Sequence, residues 1–186
     1  MILLETTRLR LRRFTLEDVD RLVELDADPE VMRHVTFGLP TPREAYVETY
    51  LPRWFAIYSA HPELGYFAAE ERGSGEFLGW FHLRDDRIEP EYTELGYRLR
   101  RAAWGRGYAT EGGRALVRHG FSRAGASAIS ARTLIGNHAS QRVIEKCGLH
   151  RVGSFVYGDD IKGGSEQDRR AFKYVLTLSE WRGQQD

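Results

Sequence analysis

The 186 residues carry 27 Lys plus Arg against 27 Asp plus Glu, with 41% hydrophobic and 29% charged residues, which suits one water-exposed globular domain over 1–186 with a sizeable core. Zero net charge gives no general electrostatic reason to bind nucleic acid or a membrane surface, and no stretch approaches the roughly 20 apolar residues that span a bilayer. Cys147 is the only cysteine, so no intramolecular disulfide can form; with a start that lacks the order of a signal peptide, the expected compartment is the cytoplasm.

In chain order, Leu9, Leu11 and Phe14 alternate with Arg8, Arg10 and Arg12, the period of a half-buried strand. Thr15, with Asp18 three residues on, then caps an amphipathic helix carrying Leu16, Val19, Leu22, Val23 and Leu25. A second capping signal, Thr41-Pro42 followed by Glu44, opens an aromatic-rich helix reaching about Ser59, which Pro52 should kink or divide. Its Tyr46, Tyr50, Trp54, Phe55 and Tyr58 read as core at helical spacing, with an exposed remainder that can line an acceptor pocket.

Strand-like runs at 66–70, 77–83 and 93–99 are separated by Gly73-Ser74-Gly75 and a polar stretch at 85–91, so an antiparallel meander is expected. Beyond Gly107 the stripe Ala109, Gly113, Leu116, Val117, Gly120 and Phe121 is helical and ends near Gly125. A strand at 127–134, a helix at 137–146 closed by Gly148, and strands at 149–156 and 171–178 complete the order. The polar connection at 158–167 is the best candidate for a mobile loop. The whole predicts an α+β chain: a mixed, mostly antiparallel twisted sheet of about seven strands with helices on both faces.

One segment carries chemistry. The strand Glu94-Leu95-Gly96-Tyr97-Arg98-Leu99 leads through Arg100-Arg101-Ala102-Ala103 into Trp104-Gly105-Arg106-Gly107-Tyr108-Ala109-Thr110-Glu111. A glycine turn before a helix gathers N–H groups that lack intrahelical acceptors, and the macrodipole adds about half a positive charge there. Gly105 and Gly107 leave no β-carbons to hold a phosphate off the backbone, and Arg106 can add a charge-assisted contact. The segment lacks the Gly-Lys-Ser/Thr of a Walker loop and the full Gly-x-Gly-x-x-Gly of a dinucleotide fold.

The run LGYRLRRAAWGRGYATEG resembles the cofactor motif of the GNAT superfamily of N-acetyltransferases, and GNHASQRVIEKCGLHRVG resembles its second segment, in the same order and at the same separation. The opening LETTRLRLRRFTLEDVDRL and the closing KYVLTLSEW are similar to the branch of ribosomal-protein alanine N-acetyltransferases of the RimJ/RimL type. The resemblance implies the GNAT fold, with acetyl-CoA bound at a splay between two central strands. Its pantetheine would pair with the strand ending at Tyr97, Arg98 and Leu99. Its pyrophosphate would meet the N–H groups of Trp104, Gly105, Arg106, Gly107, Tyr108, Ala109 and Thr110. Asn137 matches an asparagine that touches the pantetheine arm, and Ser140 a position that orients or protonates the departing thiolate. Residues three apart share a helix face, so the two can point into one cleft, although Asn137 is also a natural helix cap.

Two departures mark this sequence. Ala102 stands where the motif often begins with Gln or Arg, and Leu149 replaces the usual phenylalanine after Gly148. For the general base, strand alternation puts Glu94 on the face of Gly96 and Arg98, near the expected acyl group. Glu70 and Glu71 are rivals acting through water, while Glu111 suits the first turn of its helix. Cys147 lies on the apolar stripe with Val143 and Ile144 and reads as core, and no histidine pairs at metal-ligand spacing, so no metal is expected.

The acceptor implied is a primary amine, either the N-terminal amine of a protein or peptide or a small molecule such as a polyamine, amino acid or aminoglycoside. Alternatives outside catalysis are an acyl-CoA-binding or sensing domain and a nucleotide-binding regulatory module. Exposed strand edges are expected to allow a homodimer.

Overall fold

The first residues form two strands where the sequence pattern shows one. In the computed structural model, which describes residues 1–158 and 165–184, β1 (Ile2–Glu5) folds back on β2 (Leu9–Arg13) through a turn in which the Thr6 N–H donates to Leu9 O at 2.8 Å. β2 buries Leu9 and Leu11 completely and turns Arg10 and Arg12 to the other face, as its period-two pattern requires. The meander follows as β3 (Gly65–Glu71), β4 (Phe77–Asp85) and β5 (Thr93–Leu99). β6 (Ala128–Leu134) runs parallel to β5, and β8 (Arg170–Thr177) inserts between β6 and β7 (His150–Val156). Among the described residues the sheet therefore has eight strands in the order β1-β2-β3-β4-β5-β6-β8-β7.

Helices cover both faces. Trp80 and Phe81 are neighbours on β4 and point oppositely: Trp80 lies 6.5 Å from the ring of Trp54 on α4 (Leu51–Ala60), while Phe81 packs so closely under Gly112 of α5 (Tyr108–Ser122) that a β-carbon there would overlap its ring. On the first face lie α1 (Val19–Ala27), α2 (Pro29–Met32), α3 (Arg43–Ala45) and α4. On the second, α5 is joined by α6 (His138–Lys146) and by α7 (Leu178–Gly183), whose Trp181 stacks on Phe121 at 5.2 Å. Among the described residues no helix is long and apolar enough to cross a membrane.

Three local expectations are corrected. Thr41 does not cap the second helix: Pro42 takes that position, and the Thr41 hydroxyl donates to Asp26 at 2.5 Å instead. The division of the aromatic helix falls just before Pro52. A wide π turn over Tyr46–Tyr50 separates α3 from α4, and Pro52 sits in the first turn of α4, where its missing N–H costs little. The last strand ends at Thr177 rather than Leu178, because Thr177 and Glu180 form a reciprocal capping pair, N–H to carboxylate at 2.8 Å and N–H to hydroxyl at 3.3 Å, that starts α7. The polar connection expected at 158–167 falls largely outside the described residues.

Candidate active site

The sheet is open at its centre. β5 pairs with β4 along its whole length, from Thr93 to Leu99, yet with β6 only at Thr93 and Glu94. Beyond Glu94 the two parallel strands diverge, and a cavity of about 430 Å³ occupies the gap and the space outside it. The second half of β5 lines it through Tyr97, Arg98 and Leu99; the turn and first residues of α5 through Trp104, Gly105, Gly107, Ala109 and Thr110; and α6 through Asn137 and Ser140. Of the residues singled out for the cofactor, Arg106 and Tyr108 stay outside the lining. Tyr108 is buried with its hydroxyl on Glu71, and Arg106 projects half-exposed toward the same carboxylate at 3.7 Å.

At the mouth of the cavity the backbone is poised for an anion. Gly105 and Gly107 have φ of +70° and +83°, a region that residues with a β-carbon enter at a cost of about 1–2 kcal/mol. Among the described residues no backbone hydrogen bond is donated by the N–H groups of residues 105–110, and Gly107, the cap of α5, has no side chain to accept from them. The outer side of the turn is braced: the Arg8 guanidinium donates to Arg106 O at 2.9 Å, stacks over the Tyr108 ring at 4.5 Å and pairs with Glu111 at 2.7 Å. Glu111 also accepts from the Thr6 hydroxyl and the Arg8 N–H, so it serves the helix's first turn by anchoring it to the β1–β2 connection. Arg142 and Lys146, four apart on α6, bring two cations to the same cavity.

On the α6 wall, Asn137 caps the helix, its side-chain oxygen accepting from the Ser140 N–H at 3.2 Å. It lines the cavity as well, so its cap role and its place in the cleft coexist. The Tyr97 hydroxyl donates to Ser140 Oγ at 3.2 Å. Burial pushes the Tyr97 phenol up to about 12, which keeps its proton in place. The pairing was not foreseen from sequence, where Tyr97 counted only for its backbone; alternation puts it on the face of Leu95 and Leu99, toward α5 and α6. The third wall, Val31, His34 and Val35 in and after α2, was also missed, although Asp28-Pro29 is a readable helix start and Asp28 caps Glu30 N at 3.0 Å.

Comparison with known proteins decides what this geometry belongs to. Residues 8–150 match the family model described as an acetyltransferase (GNAT) domain. The chain belongs to the GNAT acetyltransferase family. GNAT enzymes use acetyl-CoA, and the chain is an acetyltransferase of that family. An FsC-acetyl coenzyme A-N(2)-transacetylase from Aspergillus fumigatus is 32% identical over 96% of this chain and 77% of its own. An uncharacterized Bacillus subtilis protein, YkkB, is 36% identical over 79% of this chain and 84% of its own. Among solved structures, a RimL ribosomal L7/L12 alpha-N-protein acetyltransferase in complex with coenzyme A superposes with TM-score 0.78 at 15% identity, covering 97% of this chain and 99% of that one. A Bacillus anthracis acetyltransferase of the family gives 0.76 at 22% identity over 97% and 100%. The structural likenesses concern the fold.

In this GNAT chain the face of β5 opposite Tyr97 is charged and crowded. Arg98 gives its guanidinium to the fully buried Asp26 at 2.5 and 2.6 Å, which also accepts from Tyr46 and Thr41, so α1, the π turn and the loop before α3 are tied to β5. Burial, then the Asp26 charge, raises the Tyr46 phenol. With its side chain so committed, Arg98 meets the cavity mainly through its backbone. Glu94 is flanked by Arg84 on β4 and by Arg132 of β6 at 3.4 Å, with the His82 ring at 3.8 Å. Glu70 and Glu71 stand elsewhere: Glu70 pairs with Arg12 at 2.8 Å, and Glu71 holds Tyr108 and Ser74 beside the α5 turn. Cys147 is buried beneath Gly113, and burial pushes its thiol up to about 12, as expected of a core residue. Among the described residues no cluster of three or more His, Cys, Asp or Glu could hold a metal.

Proposed function

We propose that this GNAT acetyltransferase transfers the acetyl group of acetyl-CoA directly to a primary amine in a ternary complex. The observation that carries the reading is the run of free N–H groups at residues 105–110 beside a strand edge that β6 leaves open. On this reading residues 105–110, Arg106 through its backbone N–H, hold the pyrophosphate, with Arg142 and Lys146 within reach, and the open edge of Tyr97, Arg98 and Leu99 orients the pantetheine. Trp104 closes the end of β5 by donating its indole N–H to Leu99 O at 2.8 Å.

The chemistry follows from what lies on the two sides of β5. A neutral amine attacks the thioester carbonyl, a C–N bond forms, the nitrogen loses a proton, and the C–S bond breaks. Tyr97, relayed through or beside Ser140, supplies the proton for the departing sulfur. Proton removal from the amine is assigned to the Glu94 side. Asn137 holds the α6 end of the cavity.

Two acceptor classes remain, each with its own support. An α-amine of a peptide is favoured by the opening and closing segments that resemble the RimJ/RimL branch; a small molecule is favoured by the 32% identity to an N(2)-transacetylase. The single buried thiol fits a reducing cytoplasm, and the exposed edge of β7 fits a homodimer. Thermal-shift titration with acetyl-CoA should stabilise the fold, and thiol release should follow with one class among peptides, amino acids, polyamines and amino sugars. Tight binding without thiol release would leave the acyl-CoA-sensing reading in its place, and protection by ATP or NAD but not coenzyme A the nucleotide-binding one.

A further inference from the structure

His82 is the one histidine whose surroundings have no structural explanation. It lies in the middle of β4, with its ring between Tyr66 at 5.0 Å and Trp80 at 5.8 Å, and neither ring nitrogen has a hydrogen-bond partner although both are buried. A buried polar atom left unpaired costs about 1–3 kcal/mol, so two on one ring call for a role. Directly across the ladder is Gly96, where a β-carbon would overlap the imidazole, Nε2 being only 2.6 Å away. The ring therefore lies over the β5 backbone two residues past the last pair with β6, on the face away from Tyr97 and α6. Beside it, Glu94 Oε2, which Arg84 engages as an ion pair, lies 3.8 Å from His82 Nε2.

Resting on the acetyl-transfer reading above, we infer that His82 is the catalytic residue that takes the proton from the acceptor amine, and that Glu94 acts through it as a positioning residue. As the C–N bond forms, the proton on nitrogen moves to the free imidazole nitrogen; the resulting imidazolium is held by the Glu94 carboxylate until product leaves and the proton passes to water. Glu94 is suited to this part because Arg84 and Arg132 already fix its oxygens. The charged groups facing the ring are Arg84 from its own strand, Glu94 and Arg98 from β5, and Arg87 from the β4–β5 connection, with the phenol of Tyr66 on β3. Burial first, and then Arg84, Arg87 and Arg98, hold the imidazole well below its ordinary range, so the ring is neutral and ready to accept at pH 7.

The test is kinetic. His82→Gln should lower kcat by roughly 10²–10⁴-fold while calorimetry finds acetyl-CoA affinity within about twofold of the unaltered enzyme. His82→Ala should regain turnover in proportion to added neutral imidazole, and His82→Gln with Glu94→Gln should be no slower than His82→Gln alone. A His82→Gln enzyme at full kcat, or losses that are additive and indifferent to imidazole, overturns the assignment. Should these variants not fold, nitrogen NMR of the unaltered enzyme decides: a protonated His82 ring at pH 7 refutes the proposal. An unaltered enzyme that binds acetyl-CoA but acetylates no amine fails the parent reading instead, which separates the two.

Discussion

Tyr97→Phe is the sharpest test of the acid side of the site. The substitution removes one hydroxyl and leaves the ring against Phe81, 5.8 Å between centroids, so packing is preserved. The lost bond to Ser140 spans 3.2 Å, and a hydrogen bond of this kind contributes about 0.5–1.5 kcal/mol net, so the urea midpoint should fall only slightly. Turnover should respond more. A positioned acid contributes about 10²–10⁴-fold, and because a thiol near pKa 8.5 departs readily, the low end applies: about 10²-fold, or roughly 2.7 kcal/mol of barrier. Acetyl-CoA affinity by calorimetry should stay within a few-fold. Ser140→Ala should cost a similar factor, and the double variant should be far less than additive if the two hydroxyls form one relay. With the phenol pushed up to about 12, it keeps its proton through pH 10, so kcat should show no alkaline limb from this group. A Tyr97→Phe enzyme within threefold of normal kcat refutes the relay.

Gly107→Ala places a β-carbon at φ +83° and 3.3 Å from Arg8 Nη2, which should destabilise the fold by about 1–2 kcal/mol and weaken acetyl-CoA at least tenfold, read by denaturation and calorimetry. Asp18 is buried, which disfavours its charge, but Arg12, the Thr15 N–H and Arg21 outweigh this and lower its pKa. Its contribution is therefore complete above the ordinary carboxyl value of about 3.9 and is lost as pH falls through the lower folded value. Asp18→Asn should lose on the order of 3 kcal/mol at pH 7 and flatten the acid limb of stability, measured by urea melts across pH. Cys147 should resist Ellman's reagent at pH 8 in the folded protein and react at once in denaturant; fast labelling of the native state would contradict its burial beneath Gly113.

What could be read from the sequence was whatever repeats or is local. The period of β2, the glycine turn before α5 and the Asn137 cap are set within a few residues, and each is where the pattern puts it. β1 has four residues of mixed exposure and no period to detect, and α7 was hidden by an apolar run continuing from β8 into Leu178. Thr41 shows the limit of local signals: its spacing to Glu44 fits a capping box, yet a buried carboxylate on another helix took the hydroxyl. The Tyr97–Ser140 pair and the His82–Gly96 juxtaposition join residues 43 and 14 apart, through a helix crossing and a ladder register that no single-sequence window contains.

That register has a consequence for the site as a whole. β5 has two differently furnished faces, with Tyr97 turned to α6 and Glu94, Gly96 and Arg98 turned to the side of α1 and the His82 ring, and a slip of one residue would exchange the sets. Tyr97 would then meet His82, and Arg98 would be driven into the wall beside Ser140. Several contacts act against the slip at once. Gly96 admits the His82 ring where any other residue would collide; Gly79 lies so close to Arg98 O and Leu99 that it too can carry no side chain; Arg84 engages Glu94; and Asp26 anchors Arg98. The residues that fix the strand thus include those proposed to handle protons, so Gly79→Ala, whose β-carbon would strike Arg98 O and Leu99 at the cavity wall, should lower kcat and weaken acetyl-CoA together, read by steady-state kinetics and calorimetry.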